Sequence, residues 1–517
     1  MNQLDPITLS VLTGALNGVV EEMGATLVRG AYSSNIKERR DSSAALFDAA
    51  GAMVAQAAHI PVHLGAMPEA VAAVRDRGAE PGDVWLLNDP FRGGTHLPDI
   101  TMVSPVVLPG GGGIVAYAVT RAHHNDVGGM SPGSMPADST EIFQEGLIIP
   151  PVRIVAGGEL VTDVLDLILA NVRVPEVRRG DLRAQIAGNG VAATRLVELV
   201  ERHDRETVLT AFGEVIAYAD RRTRALLADL PDGSWTAEGV LEGATEADDQ
   251  LIRAAVTVAG DRLTIDFAGT APQGATNLNC PLAVTRSACF FALRVLLPDD
   301  VPANAGTYSA LDVRAEPGTL LNATWPAAVV AGNVETSQRT ADVVLTALAA
   351  AAAGTAHGRR IPAEGMGTMN NLVLGGKGWS YYETIGGGQG ASAAGAGPSG
   401  VHVGMSNTLN TPVEALELEY PLRVERYQLR RGTSGAGRHR GGDGIERSVR
   451  VLEPATLSLM ADRRRHRAEG RAGGQAGQNG EDDVDGEPLA PKERRVLAAG
   501  SVITVRTPGG GGWGRPD

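Results

Sequence analysis

Glycine restricts the possible folds of this 517-residue chain more than any other residue, because it occurs 66 times. That number is well above the share of roughly 7% found in average proteins. A collagen-like triple helix is excluded, since glycine does not recur at every third position. The excess instead predicts many turns and places where backbone segments approach each other closely. With 43% apolar and 21% charged residues, the chain is expected to fold into a globular structure.

Charge and cysteine content argue against several classes of protein. The formal net charge of −14 disfavours a nucleic-acid groove, which needs clustered lysine and arginine. The two cysteines, Cys280 and Cys289, are too few for a disulfide-stapled secreted domain and fit a reducing compartment. We find no basic start followed by an apolar run, and no stretch of about 18 apolar residues. The sequence therefore predicts a cytoplasmic protein that binds neither nucleic acid nor a membrane.

Hydrophobic periodicity predicts an α+β, multi-domain fold. A helix is expected from Pro6, with Asp5 as its cap, because the following apolar residues recur at helical spacing. Short apolar runs between residues 60 and 158 indicate strands, and residues 182–230 return to a helical period. Beyond residue 365, strand-like runs punctuated by glycine dominate. We predict three domains: an N-terminal α+β domain (1–230), a middle α+β domain (231–365) and a glycine-rich, mainly β C-terminal domain (366–517).

Two loops at the ends of predicted strands carry residues suited to bind a metal. The first holds a His-x-x-Asp pair, His96 and Asp99, and the second begins with His123. Two histidines and one carboxylate, with positions open for water and substrate, form a recurring divalent-metal site. Such an ion lowers the pKa of bound water to about 7. Asp126 or Asp89 can then orient a ligating imidazole or act as general base. Histidines capped by backbone groups at strand ends fit the same spacing.

Other histidines offer further alternatives. His123 and His124 are adjacent, and side chains alternate along an extended strand, so both cannot easily face one ion. One of the two is expected to be structural or to face the substrate. His59 and His63 have the spacing of helical zinc pairs, but Pro61 lies between them and no glutamate follows the first histidine. A packed or substrate-lining loop is the better interpretation of that pair.

The glycine-rich segments do not form a familiar nucleotide site. None is followed by Lys-Ser or Lys-Thr, and no G-x-G-x-x-G opens a helix within a βαβ unit. A G-x-S-x-G elbow is also missing, which disfavours a serine-triad hydrolase. The polar run from Asn333 to Arg339 precedes a helix, so Thr336 or Ser337 also fits a simple N-cap.

Taken together, these segments resemble the hydantoinase B/oxoprolinase family over nearly the whole chain. The similar motifs are Lys37-Glu38-Arg39-Arg40-Asp41-Ser42, the loop from Asn88 to Asp99, His123 to Gly129, Asn333 to Arg339, Gly367 to Asn371, Tyr381 to Gly388, Asn410 to Glu414 and Gly435 to Gly442. The sequence departs from the family pattern after Arg463, where a proline-containing turn usually precedes the glycines.

The resemblance implies the B-type subunit of an ATP-dependent cyclic amidase that opens hydantoin, oxoproline or lactam rings. It implies a hetero-oligomer with an A-type subunit that binds the ATP, in agreement with the missing phosphate loop. The family's ligands for a divalent ion (Zn, Mn or Fe) map onto His96, Asp99 and His123, so the N-terminal domain would bear the metal. The candidate substrate-binding residues are His124, Asn333, Glu335, Arg339 and Asn370.

Two other functions stay open from sequence alone. The family also includes acetone and acetophenone carboxylases, in which the same metal would hold an enolate and activated bicarbonate. A non-catalytic scaffold subunit is the third possibility.

Overall fold

The computed structural model describes residues 4–58, 60–63 and 65–516 and has the predicted α+β architecture, with four β-sheets in this described part. A π-helical turn, Gly332–Thr336, comes directly before the helix that begins at Ser337. No helix of the described residues is long and apolar enough to cross a membrane. The helices are α1 (Pro6–Gly30), α2 (Ser34–Lys37), α3 (Met67–Arg75), α4 (Thr162–Ala170), α5 (Pro175–His203), α6 (Arg205–Ala228), α7 (Leu282–Leu296), α8 (Ala305–Tyr308), α9 (Ser337–Ala351) and α10 (Val413–Glu419).

The first sheet has seven antiparallel strands and carries the predicted metal-binding loops. Its strands are β1 (Ser42–Asp48), β2 (Met53–Ala58), β3 (Val84–Leu87), β4 (Asp99–Val107), β5 (Ile114–His123), β6 (Val152–Ala156) and β7 (Glu159–Leu160). Their order is β2-β1-β5-β4-β3-β6-β7. The register pairs Asp99, the first residue of β4, with His123, the last residue of β5. This pairing brings the two loops together at one end of the sheet.

Helices α1, α5 and α6 cover one face of this sheet. Helix α1 begins as predicted, with Asp5 accepting hydrogen bonds from the first-turn amides and Pro6 in the first position. Its buried residue Leu16 packs in one cluster with Leu196 of α5, Phe212 of α6 and apolar residues of β1 and β2. Burial of each such side chain stabilises the fold by about 1.5–3 kcal/mol.

The second sheet has four strands, β8 (Gly233–Leu241), β9 (Gln250–Ala259), β10 (Arg262–Asp266) and β11 (Leu311–Arg314). Strands β10 and β11 are parallel, and the other pairs are antiparallel. Helix α9 packs against this sheet and against α7. The largest hydrophobic cluster includes Ala45, Val256 and Met460, so one core extends through all three predicted domains. The boundaries at residues 230 and 365 stay predictions.

Nine C-terminal strands form two further sheets. They are β12 (Asn371–Gly376), β13 (Trp379–Thr384), β14 (Leu422–Arg430), β15 (Gly444–Val451), β16 (Ala455–Met460), β17 (Glu481–Val484), β18 (Glu487–Pro488), β19 (Lys492–Leu497) and β20 (Val502–Arg506). The sheet orders are β13-β12-β16-β19 and β14-β15-β20-β17-β18. Apolar residues of both sheets, such as Leu457 and Ile503, share one cluster.

Beside these sheets, glycines build what we call the glycine lattice, formed by the segments 387–391, 435–442, 470–478 and 509–512. Segment 509–512 lies between the others. Its successive amides donate to the carbonyl oxygens of Gln478, Gly442, Glu364 and Gln475. The first and fourth amides, three residues apart, thus bond to the same neighbouring segment, 470–478. A repeat of three residues is that of a polyproline II helix.

Close approach of the backbone explains why the lattice needs glycine. A methyl group on Gly510 would overlap the carbonyl oxygen of Gln389, and one on Gly441 would overlap that of Gly510. The high glycine content thus supplies the backbone contacts predicted from sequence, in addition to turns.

Candidate metal centre

His96, Asp99 and His123 form a buried cluster at the end of the first sheet. One potential ligand atom from each residue lies within 4.8 Å of the others. The Asp99 Oδ1 atom is 3.0 Å from His96 Nε2 and 3.3 Å from His123 Nδ1. None of the three residues is more than 2% exposed. The two imidazoles and the carboxylate predicted from separate loops therefore converge on one point.

The atoms of this cluster fit a divalent cation. His96 Nδ1 and His123 Nε2 make no hydrogen bond within the described part of the chain, and the contact of His96 Nε2 is the one with Asp99. Buried polar atoms in native proteins nearly always have such a partner. Imidazole nitrogen and carboxylate oxygen are the donors that zinc and other first-row divalent ions prefer. His96, Asp99 and His123 would hold the ion.

Three further side chains surround the second carboxylate oxygen of Asp99. Thr95 Oγ1 donates to Oδ2 at 2.6 Å, and Asn333 Nδ2 donates to it at 3.4 Å. His63 Nε2 lies 3.4 Å from the same oxygen. Asn333 comes from the π-helical turn Gly332–Thr336, and such turns are frequent at functional sites. Asp99 is therefore held in one orientation by groups from three parts of the chain.

From sequence alone, the pair His59 and His63 is interpreted as a packed or substrate-lining loop, and His63 is not expected beside Asp99. His59 lies outside the described residues. The structure forms a 3-10 turn at Pro61–His63, directly after β2. This turn puts His63 Nδ1 at 2.9 Å from Ser43 Oγ and turns the other nitrogen towards Asp99. Pro61 starts this turn, so the spacing of His59 and His63 does not reflect a helix.

Asp99 and His123 of the cluster border a small cavity of about 10 Å³, which has room for about one water molecule. Asp41, His63, Asp99, His123 and Asn333 line it from one side. The opposite wall comes from the C-terminal part and consists of Met369, Tyr382, Thr384, Ser406 and Thr408.

Asn35 and Arg39 hold both walls of this cavity. The Asn35 amide donates to the carbonyl oxygen of His123 at 2.9 Å and to the Asp41 carboxylate at 3.4 Å. The buried Arg39 guanidinium donates to the carbonyl oxygen of Tyr382 at 2.8 Å and to Asn35 Oδ1. The motif from Lys37 to Ser42 noted in the sequence thus connects the metal cluster to the C-terminal sheets.

Electrostatics favour the ligating protonation states. Burial alone would raise the pKa of Asp99, but the neighbouring His96 and His63 rings outweigh it and hold that pKa well below its usual value. Burial lowers the pKa of His123, against the opposing effect of Asp99. At pH 7 Asp99 is therefore ionised and His123 neutral, as metal binding requires.

His124 points away from the cluster, as the alternation of side chains predicts. Its Nε2 contacts Gln185 Oε1 at 2.9 Å. Burial, together with the nearby charge of Arg178, lowers the pKa of His124 to about 4. The ring is neutral and packed against α5, and its role towards substrate stays a prediction.

Three other candidate substrate residues make contacts inside the fold. Glu335 accepts hydrogen bonds from Thr368, Met369 and Asn371, and burial raises its pKa to about 8. Arg339 pairs with Asp342 at 2.8 Å. The Asn370 amide donates to the carbonyl oxygen of Ile385 and accepts from Arg464. Among the predicted set, Asn333 is the residue that the structure brings to Asp99.

The two predicted catalytic carboxylates lie in the loops that carry the ligands. Asp126 accepts from the amides of Gly128 and Gly133 and pairs with Arg173 at 2.9 Å. Asp89 accepts from the amide of Phe91, and burial raises its pKa. These contacts shape the loops, and a direct role of either carboxylate in proton transfer stays a prediction.

Sequence comparison identifies similar proteins over the full length of the chain. The family model of hydantoinase B/oxoprolinase matches residues 5–516. A protein of Pseudomonas sp. (strain NS671), whose name describes the B-type subunit of a D-/L-hydantoinase, is 32% identical over 100% of this chain and 91% of its own length. The 5-oxoprolinase 1 of Arabidopsis thaliana is 37% identical over 99% of this chain. The chain spans only 42% of that plant protein.

Two solved structures have the same fold. The ATP-dependent caprolactamase from Pseudomonas jessenii is 31% identical, with a TM-score of 0.91 over 99% of this chain and 92% of that one. An acetone carboxylase in its nucleotide-free form superposes with a TM-score of 0.89 over 99% of this chain and 76% of that one. At 19% identity, the second match shows the fold alone.

Proposed function

The chain belongs to the hydantoinase B/oxoprolinase family, and we propose that it is the metal-bearing B-type subunit of an ATP-dependent cyclic amidase. It would act in a hetero-oligomer with an A-type subunit that binds ATP, and it would open a hydantoin, oxoproline or lactam ring. The convergence of His96, Asp99 and His123 in one buried cluster carries this proposal. The relatives whose names describe a hydantoinase and an ATP-dependent caprolactamase support it.

Phosphorylation makes the stable amide reactive. Transfer of the γ-phosphoryl group to the amide oxygen, on the partner, releases ADP and gives an imidate-like phosphate ester. A first water adds to the ring carbon, and the C–N bond breaks, so that the ring nitrogen leaves with a proton and an acyl phosphate remains. A second water adds to this acyl carbon, the C–O bond to phosphate breaks, and phosphate and the ring-opened acid leave. A divalent ion bound at the cluster supplies Lewis acidity and lowers the pKa of water to near 7.

The residues of this chain would position the ring and move the proton. Asn333 Oδ1 lines the cavity without a hydrogen-bond partner in the described structure, so it can accept the N–H of a cyclic amide. Asp41, held by Asn35, offers a further carboxylate as a ligand or as the acceptor of the water proton. Burial of the cluster keeps bulk water away from the bonds that form and break beside it.

Co-expression with an A-type subunit tests this function. We expect one divalent ion per chain by elemental analysis, and ADP release that depends on hydantoin, 5-oxoproline or caprolactam. The variant H96N/H123N should lose both the ion and at least 99% of the ring-dependent activity. The control variant H357N, at a histidine of the 3-10 turn His357–Arg360 away from the cluster, should keep both.

Other outcomes would point to the alternative functions. Bicarbonate-dependent consumption of acetone or acetophenone, without ring opening, would show a carboxylase. A chain that holds no stoichiometric ion and adds nothing to the activity of its partner would be a scaffold subunit. Full ring-opening activity in H96N/H123N would overturn the assignment of the metal centre.

A further inference from the structure

A second, larger cavity of about 260 Å³ lies beside the candidate metal centre. Ser380 lines this cavity and Tyr382 lines the metal cavity. The two residues lie two positions apart on the same face of β13, so their Cα atoms are about 6–7 Å apart. Asn125, two residues after His123, accepts a hydrogen bond from Ser380 through its carbonyl oxygen. The larger cavity is therefore the immediate neighbour of the site proposed for catalysis.

A buried guanidinium with unused donors lines the larger cavity. Arg178 is 2% exposed and lies 2.9 Å from Asp181. Its Nε and Nη1 atoms have no hydrogen-bond partner in the described part of the protein. An unpaired buried donor is unfavourable, and more so when the group is charged. The arrangement is therefore suited to a ligand that brings its own acceptor atoms.

The first turn of helix α5 adds to the positive potential at the same place. The helix is 29 residues long and begins at Pro175, and its N-cap residue, Val174, offers no side-chain acceptor. Val174 and Val177 line the cavity. The free amides of such a turn carry about half a positive charge and favour oxyanions.

The acidic residues near the cavity are mostly paired. Asp181 accepts hydrogen bonds from the amides of Tyr32 and Ser33, at 2.8 and 3.0 Å. Asp126 is paired with Arg173. Glu419 lies on the exposed side. The buried end therefore presents the donors of Arg178 to a ligand.

We propose that this cavity binds an oxyanion, which is either the carboxylate of a ring substrate or the phosphate released from it. Arginine recognises both groups through paired, charge-assisted hydrogen bonds. The position next to the metal centre would let the anion be held while the ring carbon faces that centre. The two possible sources of the anion rest on the proposed amidase function, whereas the binding of an oxyanion does not.

Calorimetric titration of the full-length chain tests this proposal. The probes are inorganic phosphate, 5-oxoproline and 2-pyrrolidinone, which has the ring of 5-oxoproline without its carboxylate. Each titration is also made on H96N/H123N, so that binding to an ion at the metal centre is excluded. We expect phosphate, 5-oxoproline or both to bind in each background, and 2-pyrrolidinone to bind at least tenfold more weakly than 5-oxoproline if the carboxylate is recognised.

Variants of the cavity decide where the anion binds. The pair R178M/D181N removes both charges together and keeps an acceptor oxygen for the Tyr32 and Ser33 amides. It should weaken oxyanion binding at least tenfold. Y420F, which removes the hydroxyl that lies 2.7 Å from Ser34 Oγ between two residues lining the cavity, should weaken it at least threefold. The control R183M, at an exposed arginine of the same helix, should bind within twofold of the parent.

Each outcome gives a clear answer. Binding of phosphate alone identifies the released product as the ligand, and binding of 5-oxoproline alone identifies a substrate carboxylate. The proposal is overturned if neither anion binds, or if affinity is unchanged in Y420F and in a folded R178M/D181N protein. Loss of metal or ring-opening activity in H96N/H123N leaves this result untouched, so the two proposals fail separately.

Discussion

The phenol ring of Tyr382 stacks on the imidazole of His123, with ring centroids 4.5 Å apart and an angle of 19° between the planes. The Tyr382 hydroxyl donates to Asn371 Oδ1 at 2.9 Å, and the Asn371 amide donates to Glu335. A proposed metal ligand of the N-terminal sheet is thereby supported by β12 and β13 of a C-terminal sheet. The orientation of His123 therefore depends on correct packing of both parts of the chain.

Substitutions of Tyr382 should separate stacking from hydrogen bonding. Y382F keeps the ring but leaves Asn371 Oδ1 buried and unpaired, so we expect a loss of about 1–3 kcal/mol in the free energy of unfolding. Metal affinity should change less than threefold. Y382A also removes the support of the imidazole and should lower metal affinity about tenfold or more. Urea denaturation and competitive metal titration measure the two effects. Equal metal affinity in Y382F and Y382A would show that stacking does not orient His123.

Thr95 should control metal binding through Asp99. Its hydroxyl donates to Asp99 Oδ2 at 2.6 Å, and T95V removes this donor without a large change in shape. Partners of this kind usually contribute a factor of about 10–100 to metal affinity. We expect a loss of that size in T95V, whereas T95S, which retains the hydroxyl, should stay within about threefold. Identical affinities in T95V and T95S would show that the hydroxyl does not orient the carboxylate.

Glu335 should make stability fall as pH rises. Burial raises its pKa to about 8 in the folded protein, from an ordinary value of 4.5. Between these two values the folded state binds more protons than the unfolded state, so each pH unit removes up to about 1.4 kcal/mol of stability. The contribution is fully present below pH 4.5 and lost above about pH 8. E335Q removes this dependence, and its free energy of unfolding should rise relative to the parent between about pH 5 and pH 8.

Urea denaturation at several pH values tests this expectation. The exposed glutamate Glu414 provides a matched control, and E414Q should follow the pH dependence of the parent protein. Parallel curves for the parent and E335Q would show that Glu335 ionises normally in the folded state.

The glycine lattice should not tolerate a single added methyl group. In G510A the new Cβ would overlap the carbonyl oxygen of Gln389, which is backbone and cannot turn away. We expect a loss of more than about 3 kcal/mol, or no soluble protein, since overpacking costs about 1–3 kcal/mol even where side chains can shift. In G274A the nearest heavy atom to the new Cβ is Thr276 Oγ1, 3.9 Å away, so that variant should fold with nearly unchanged stability. Thermal unfolding of both variants measures the difference, and similar melting temperatures would contradict it.

Much of the architecture follows from local patterns in the sequence. Helix α1 starts at the predicted Asp5 cap, and strands β3 to β5 lie where short apolar runs indicated them. The three metal-binding candidates came from loops at strand ends and from resemblance to a family. Their distance from each other is set by the pairing of Asp99 with His123, which sequence periodicity alone does not define.

The remaining parts of the site depend on contacts between distant segments. His63 reaches Asp99 because a short turn after β2 lies near the start of β4, and no local spacing encodes that proximity. Arg339 and Asn370 were polar candidates within their motifs, but each is paired inside the core. A polar residue in a motif can stabilise the fold or bind a ligand, and only its tertiary partners decide which.

The central segment of the glycine lattice also limits how the protein can fold during translation. Residues 509–512 leave the ribosome after every segment to which they bond, the earliest of which lies near residue 364. Until then, the amide and carbonyl groups of those earlier segments lack the hydrogen-bond partners that they have in the folded protein. The segments are rich in glycine, so they also carry few side chains to bury. Nascent chains should therefore hold this region open until residues 509–512 have emerged, and chaperones would have the most to protect before that point.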